Sequence, residues 1–102
     1  MDRVDKLRAA VDTVLETLRQ HGFTPVLWDN GCGWEQLTQN PSDEILSVED
    51  CWVQFRHDEH KGGWIRFIPE CECPEDCIND HSMPGDGHFT AAVDAAMNSI
   101  QE

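Results

Sequence analysis

Val4, Leu7, Val11, Val14, Leu15 and Leu18 recur at steps of three and four, the spacing that lines one face of an α-helix. Asp2 and Asp5 stand at the start of this segment and Arg19 and His21 at its end, which suits the helix dipole, and Gly22 supplies a stop. The pattern then changes. Phe23 to Trp28 reads as a short strand, with Pro25 favouring a sheet edge because it cannot donate to a ladder, and Asp29-Asn30-Gly31 follows as a turn. Residues 32–47 carry too weak a period to assign, although Asn40-Pro41-Ser42-Asp43 suits a turn or the cap of a short helical piece.

Strand signals return at Val48 to His57 and at Trp64 to Pro69, separated by a polar, glycine-containing loop that fits a hairpin. Alternation places Cys51, Val53 and Phe55 with Ile65 and Phe67 on one face, and Trp52, Gln54 and Arg56 with Trp64, Arg66 and Ile68 on the other. Pairing Phe55 with Ile65 sets Arg56 opposite Trp64. After a cysteine-rich loop, Phe89, Ala92, Val93, Ala96, Met97 and Ile100 mark a second helix. The expected fold is one small α+β domain spanning residues 1–102: helix, three-stranded antiparallel sheet, helix (α-β-β-β-α), with the cysteine-rich loop before the last helix.

That order resembles, in outline, the double-stranded RNA-binding domain. The resemblance implies two helices on one face of a three-stranded sheet, and it stops there, because those domains need basic residues to span phosphates. Here the formal net charge is -13. Residues 1–22 hold four acids and four bases, residues 23–60 hold eight acids against Arg56, and residues 61–102 hold eight against Lys61 and Arg66. Such a surface repels phosphate backbones and lipid headgroups and attracts basic partners, so direct nucleic-acid and membrane binding are not expected. Acidity of this kind also serves plain solubility.

No apolar run is long enough to span a bilayer, and Met1-Asp2-Arg3-Val4-Asp5-Lys6 lacks the apolar segment of a secretory signal, so the expectation is a cytoplasmic protein. Five cysteines cannot all pair internally, which leaves metal binding and reduced thiols as the readings for a reducing compartment.

Cys71, Cys73, Cys77 and His81 fall within eleven positions. Three thiols and an imidazole can close a tetrahedral structural zinc site, although Cys71 and Cys73 are closer than the usual C-x2-C knuckle. His88, Cys32 and Cys51 are further candidate ligands. Surface thiols or a local disulfide are the alternative, and the acids Glu70, Glu72, Glu75, Asp76 and Asp80 disfavour thiolates there unless a cation is present. The segments His57-Asp58-Glu59 and Pro69-Glu70-Cys71-Glu72-Cys73 resemble the zinc signature of nucleobase deaminases, but the cysteine spacing and the hairpin context do not match it. His57-x2-His60 could also ligate a metal; solvated loop histidines are the plainer reading. No phosphate loop, nucleophile elbow or H-E-x-x-H helix is found.

Four tryptophans accompany no tyrosine, and Trp52 and Trp64 share a strand face with Arg56 and Arg66. These are the residue types most enriched at interface hot spots. Two helices on the opposite face would leave this one open for docking or homodimer formation; a helix on each side would bury it, and a buried or partly buried placement is expected. The resulting expectation is a small acidic, non-enzymatic protein-interaction module. It would be a phage or bacterial accessory protein that binds or inhibits a basic, nucleic-acid-binding partner. A zinc-stabilised domain of structural or regulatory role is the alternative, and a small zinc- or cysteine-dependent enzyme is a further one.

Overall fold

The computed structural model describes residues 3–29, 31, 33–36, 41–46, 50–68 and 77–100. Helix α1 (Arg3–Gln20) opens the chain and buries Leu7, Ala10, Val11, Val14 and Leu18 along one stripe. It ends in a Schellman arrangement. Phe23 N–H reaches Leu18 C=O at 2.9 Å and Gly22 N–H reaches Arg19 C=O at 2.9 Å, with Gly22 at φ 88, a conformation that favours glycine. The motif turns the chain so that Phe23, 1% exposed, enters the core just before β1.

Strand β1 (Thr24–Asp29) turns back into β2 (Trp34–Gln36), and a short helix α2 (Pro41–Leu46) leads to β3 (Cys51–Arg56). Strands β4 (Gly63–Phe67) and β5 (Ile78–His81) precede α3 (His88–Ile100). The strands form one antiparallel sheet in the order β2-β1-β3-β4-β5. The three-stranded α-β-β-β-α expectation is thereby corrected: among the described residues the sheet has five strands, and the outline shared with double-stranded RNA-binding domains goes with it. The two added strands lie at the edges. Trp34-Glu35-Gln36 is exposed throughout, and Ile78-Asn79-Asp80-His81 has a single apolar residue, so neither carries an alternation to detect.

Pro25 is not on an edge strand, because β1 lies between β2 and β3. It is tolerated because, among the described residues, β2 pairs only with Leu27 to Asp29, and no described strand residue pairs with the start of β1 on that side. A register shift between Pro25 and Leu27 then places Trp28 opposite Val53. In the hairpin the observed partners are Val53 with Ile65 and Gln54 with Trp64, two residues from the expected register, so Arg56 does not face Trp64. Gly63 faces Phe55 instead. A side chain at Gly63 would lie 2.5 Å from both the Phe89 ring and Ser82 Oγ, so its absence is what lets α3 settle on the sheet.

Cys51, Val53, Phe55, Ile65 and Phe67 are buried and form one hydrophobic cluster with residues of α1, Ile45 of α2, and Phe89, Ala92, Val93 and Ala96 of α3. Phe89 packs edge-on against Phe23 with ring centroids 5.3 Å apart and tilts over Phe55 at 6.0 Å. Both long helices thus lie on the same side of the sheet. Among the described residues no helix is long and apolar enough to cross a membrane.

Candidate functional site

With α1 and α3 on one side, the residues that alternate with the core positions point the other way. Pairing aligns them in rows across the sheet. One row runs Trp34, Asp29, Trp52, Arg66, Asp80 through all five strands, each residue being the direct partner of the next. A second row runs Gln36, Leu27, Gln54, Trp64. Trp52 and Trp64 are partly buried by their neighbours, and Trp34 is 48% exposed. Among the described residues no helix packs against this face.

Of the residues proposed from the sequence, Trp52, Trp64, Arg56 and Arg66 all belong to this face, but they separate into two groups. Arg66 is fully engaged. Its Nε and Nη2 donate to the two carboxylate oxygens of Asp50 at 3.0 and 2.5 Å, and its Cζ stands 4.8 Å from the centre of the Trp52 ring. Those hydrogen bonds hold the Asp50 carboxyl below its ordinary range, and Asp80 adds a further negative charge beside Arg66. Arg56 is exposed at the other end of β3, opposite Thr24, with no ion-pair partner among the described residues. With Trp64, Val26, Gln54, Gly63 and Pro84 it lines an open groove of about 540 Å³. Ser82 fixes one wall by accepting the Trp64 N–H at 2.9 Å.

The cysteine proposal is only partly represented. Cys71 and Cys73 lie outside the described residues. Cys77 is buried in the hydrophobic cluster, and His81 ends β5 opposite Ile65, its Nδ1–H donating to Ser82 C=O at 3.0 Å. Strand β5 therefore separates these two residues. Among the described residues no three His, Cys, Asp or Glu side chains converge as a metal site. Cys51, the other buried thiol among the described residues, is chemically quiet, since burial, reinforced by the Asp50 charge, pushes it up to about 12.

The histidines of the β3–β4 loop are not simply solvated. His57 Nδ1 accepts the N–H groups of Glu59 and His60 at 2.9 and 3.2 Å, so its Nε2 carries the proton and donates to His21 C=O at 3.1 Å. His60 stacks on His88 with centroids 3.6 Å apart, and Asp86 accepts from the backbone N–H of both Lys61 and His88. These contacts tie the hairpin to the end of α1 and the start of α3. They brace the loop against both helices.

Comparison with known proteins returned no matching family model, no matching curated protein and no matching solved structure. The open face must therefore be judged by its chemistry. Among the described residues it offers planar rings, a guanidinium paired with a carboxylate, carboxylates on either side of the Trp52 and Arg66 pair in one row, and a groove. Trp34 and Asp29 had no place in the site read from the sequence. The signal that would have found them is the Asp29-Asn30-Gly31 turn, which implies a returning strand, followed by a tryptophan.

Proposed function

We propose that this chain is a small acidic interaction module, without catalytic activity, that binds a basic protein partner through the open face of its sheet. The observation that carries the reading is a five-stranded sheet that, among the described residues, is covered by helices α1 and α3 on one side, with Trp34, Trp52 and Trp64 on the other. A face of this kind is large enough to dock, and aromatic side chains are where docking energy concentrates. The excess of acids selects the sign of the partner. Twenty acids against seven Lys and Arg repel nucleic acid and steer a basic surface inward, so the partner class is a nucleic-acid-binding protein whose cationic surface this module occupies and thereby inhibits. Accessory proteins of phages and bacteria work in this way, and the chain has a size and charge that fit such a role.

The test is competition. A basic DNA-binding protein is titrated with this chain in the presence of duplex DNA, at low and high salt. The expected result is displacement of DNA, an affinity that falls as salt rises, and a marked loss of binding for Trp64→Ala. Binding that ignores ionic strength would remove the electrostatic basis of the reading, and binding unaffected by Trp64→Ala would remove the sheet face from it.

A further inference from the structure

We propose that Trp34, Asp29 and Trp52 form a receiving site for one guanidinium group of the partner. The inference rests on the basic-partner reading and adds where, and by what chemistry, a cation is held. The three residues are direct pairing partners on β2, β1 and β3, and so share one face of the sheet. Adjacent strands lie about 4.8 Å apart, so the two tryptophan positions are separated by roughly 9.6 Å. A cation midway between two rings at that spacing lies within about 6 Å of each, the range in which ring quadrupoles attract charge.

The floor of this site is a carboxylate held in place. Asp29 Oδ1 accepts the N–H groups of Gly31 and Gly33 at 2.8 and 3.2 Å, which fixes the side chain. Its Oδ2 has no hydrogen-bond partner among the described residues. Among the described residues it has no ion-pair partner either, because the base in the same row, Arg66, is already bound to Asp50 and has Asp80 beside it.

The molecule contains an internal copy of the proposed contact. Arg66 sits over one side of Trp52 and is pinned there by a carboxylate. On the other side of Trp52 the pairing places a second carboxylate, Asp29, and beyond it the exposed ring of Trp34. What that half lacks is the guanidinium. A planar fork that can stack between rings and bond a carboxylate suits an arginine better than the compact, strongly hydrated ammonium of lysine.

Hexa-arginine and hexalysine peptides serve as probes, with binding to the full chain measured by calorimetry and by tryptophan fluorescence. Hexa-arginine should bind more tightly than hexalysine, and Asp29→Asn and Trp34→Ala should each weaken it about tenfold. Asp29→Asn keeps an oxygen for the Gly31 and Gly33 amides, so it removes the charge without the turn; circular dichroism confirms the fold of each variant. Asp94→Asn, which removes one exposed charge from α3 on the other side of the sheet, should leave hexa-arginine affinity within about twofold. Equal binding of the two peptides would overturn the guanidinium site, as would unchanged affinity in Asp29→Asn and Trp34→Ala, and in either case the basic-partner reading would stand. If neither peptide and no basic protein binds the unaltered chain, that reading fails and takes the site with it.

Discussion

Strands β3 and β4 present two faces built from the same eleven residues, and the faces obey different rules. Toward the helices stand Cys51, Val53, Phe55, Ile65 and Phe67, none more than 2% exposed and none carrying a charge. Toward the open side stand Trp52, Gln54, Arg56, Trp64 and Arg66, where rings alternate with groups that need partners. On the covered face every contact is available within the chain, and burying apolar surface there is what stabilises the fold. On the open face the polar groups are arranged around rings that the described residues cover only in part. Aromatic content therefore does not separate core from site in this molecule; what separates them is whether the rings keep company with aliphatic side chains or with carboxylates and guanidinium groups.

The strongest way to break this comparison is to truncate one ring on each side. Phe89 is fully buried and touches Phe23 and Phe55, so Phe89→Ala should cost about 3–5 kcal/mol. For a domain this small that corresponds to a fall in Tm of about 12 °C or more. Trp64→Ala removes a larger ring from the open side, yet should cost less than about 1.5 kcal/mol because that ring is only partly buried. Thermal and urea denaturation of the two variants decide the matter. Equal losses would make Trp64 a core residue and dissolve the distinction between the faces.

How much of this was legible in the sequence follows the same division. The covered face was legible because period-two and period-3.6 patterns arise from burial on one side, and Val53, Phe55, Ile65, Phe67 and the α1 and α3 stripes express them directly. The edge strands were not, because Trp34-Glu35-Gln36 and Ile78-Asn79-Asp80-His81 are short and polar and are ordered by pairing rather than by burial. The hairpin register also escaped, since a shift of two residues keeps every side chain on its face and leaves the hydrophobic pattern unchanged. Consequently Trp52, Trp64, Arg56 and Arg66 were placed on the right face with the wrong neighbours, and Trp34 and Asp29 had no strand to place them on it. Cys71, Cys73, Val48 and Pro69 lie outside the described residues.

Titration of the covered face is a gentler probe of the same comparison. The Cys51 thiol, ordinarily at 9.0, is pushed up to about 12 by burial and by Asp50. A pKa raised on folding means that the folded state holds the proton more tightly, so the associated stability is complete below pH 9 and is lost as pH rises toward 12. At pH 10 the loss is on the order of 1 kcal/mol, by linkage from those two values. Urea denaturation at pH 8 and pH 10 should therefore show a fall in the unaltered protein that Cys51→Ala lacks. A parallel fall in both would mean that Cys51 meets solvent, and that the covered face is not closed at the end of β3.

The smallest effect is expected where the open face is bound to itself. Asp50 and Arg66 are each about one-third exposed, at 34% and 33%, so solvent screens the pair and Asp50→Asn should cost less than about 1 kcal/mol at neutral pH. Its pH dependence has the opposite sign to that of Cys51. Asp50 is lowered from 3.8 by its hydrogen bonds to Arg66, so its contribution is present above that value and fades as pH falls through and below it. The gap between the unaltered protein and Asp50→Asn should accordingly close in acid, which denaturation from pH 7 down to pH 2 would show. The variant also frees Arg66 from its pin above Trp52, and the indole emission should shift as the guanidinium leaves the ring. A gap that persists at pH 2 with unchanged emission would mean that the carboxylate charge is not what holds Arg66 on Trp52, and the open face would lose its internal example of a cation held between a ring and an acid.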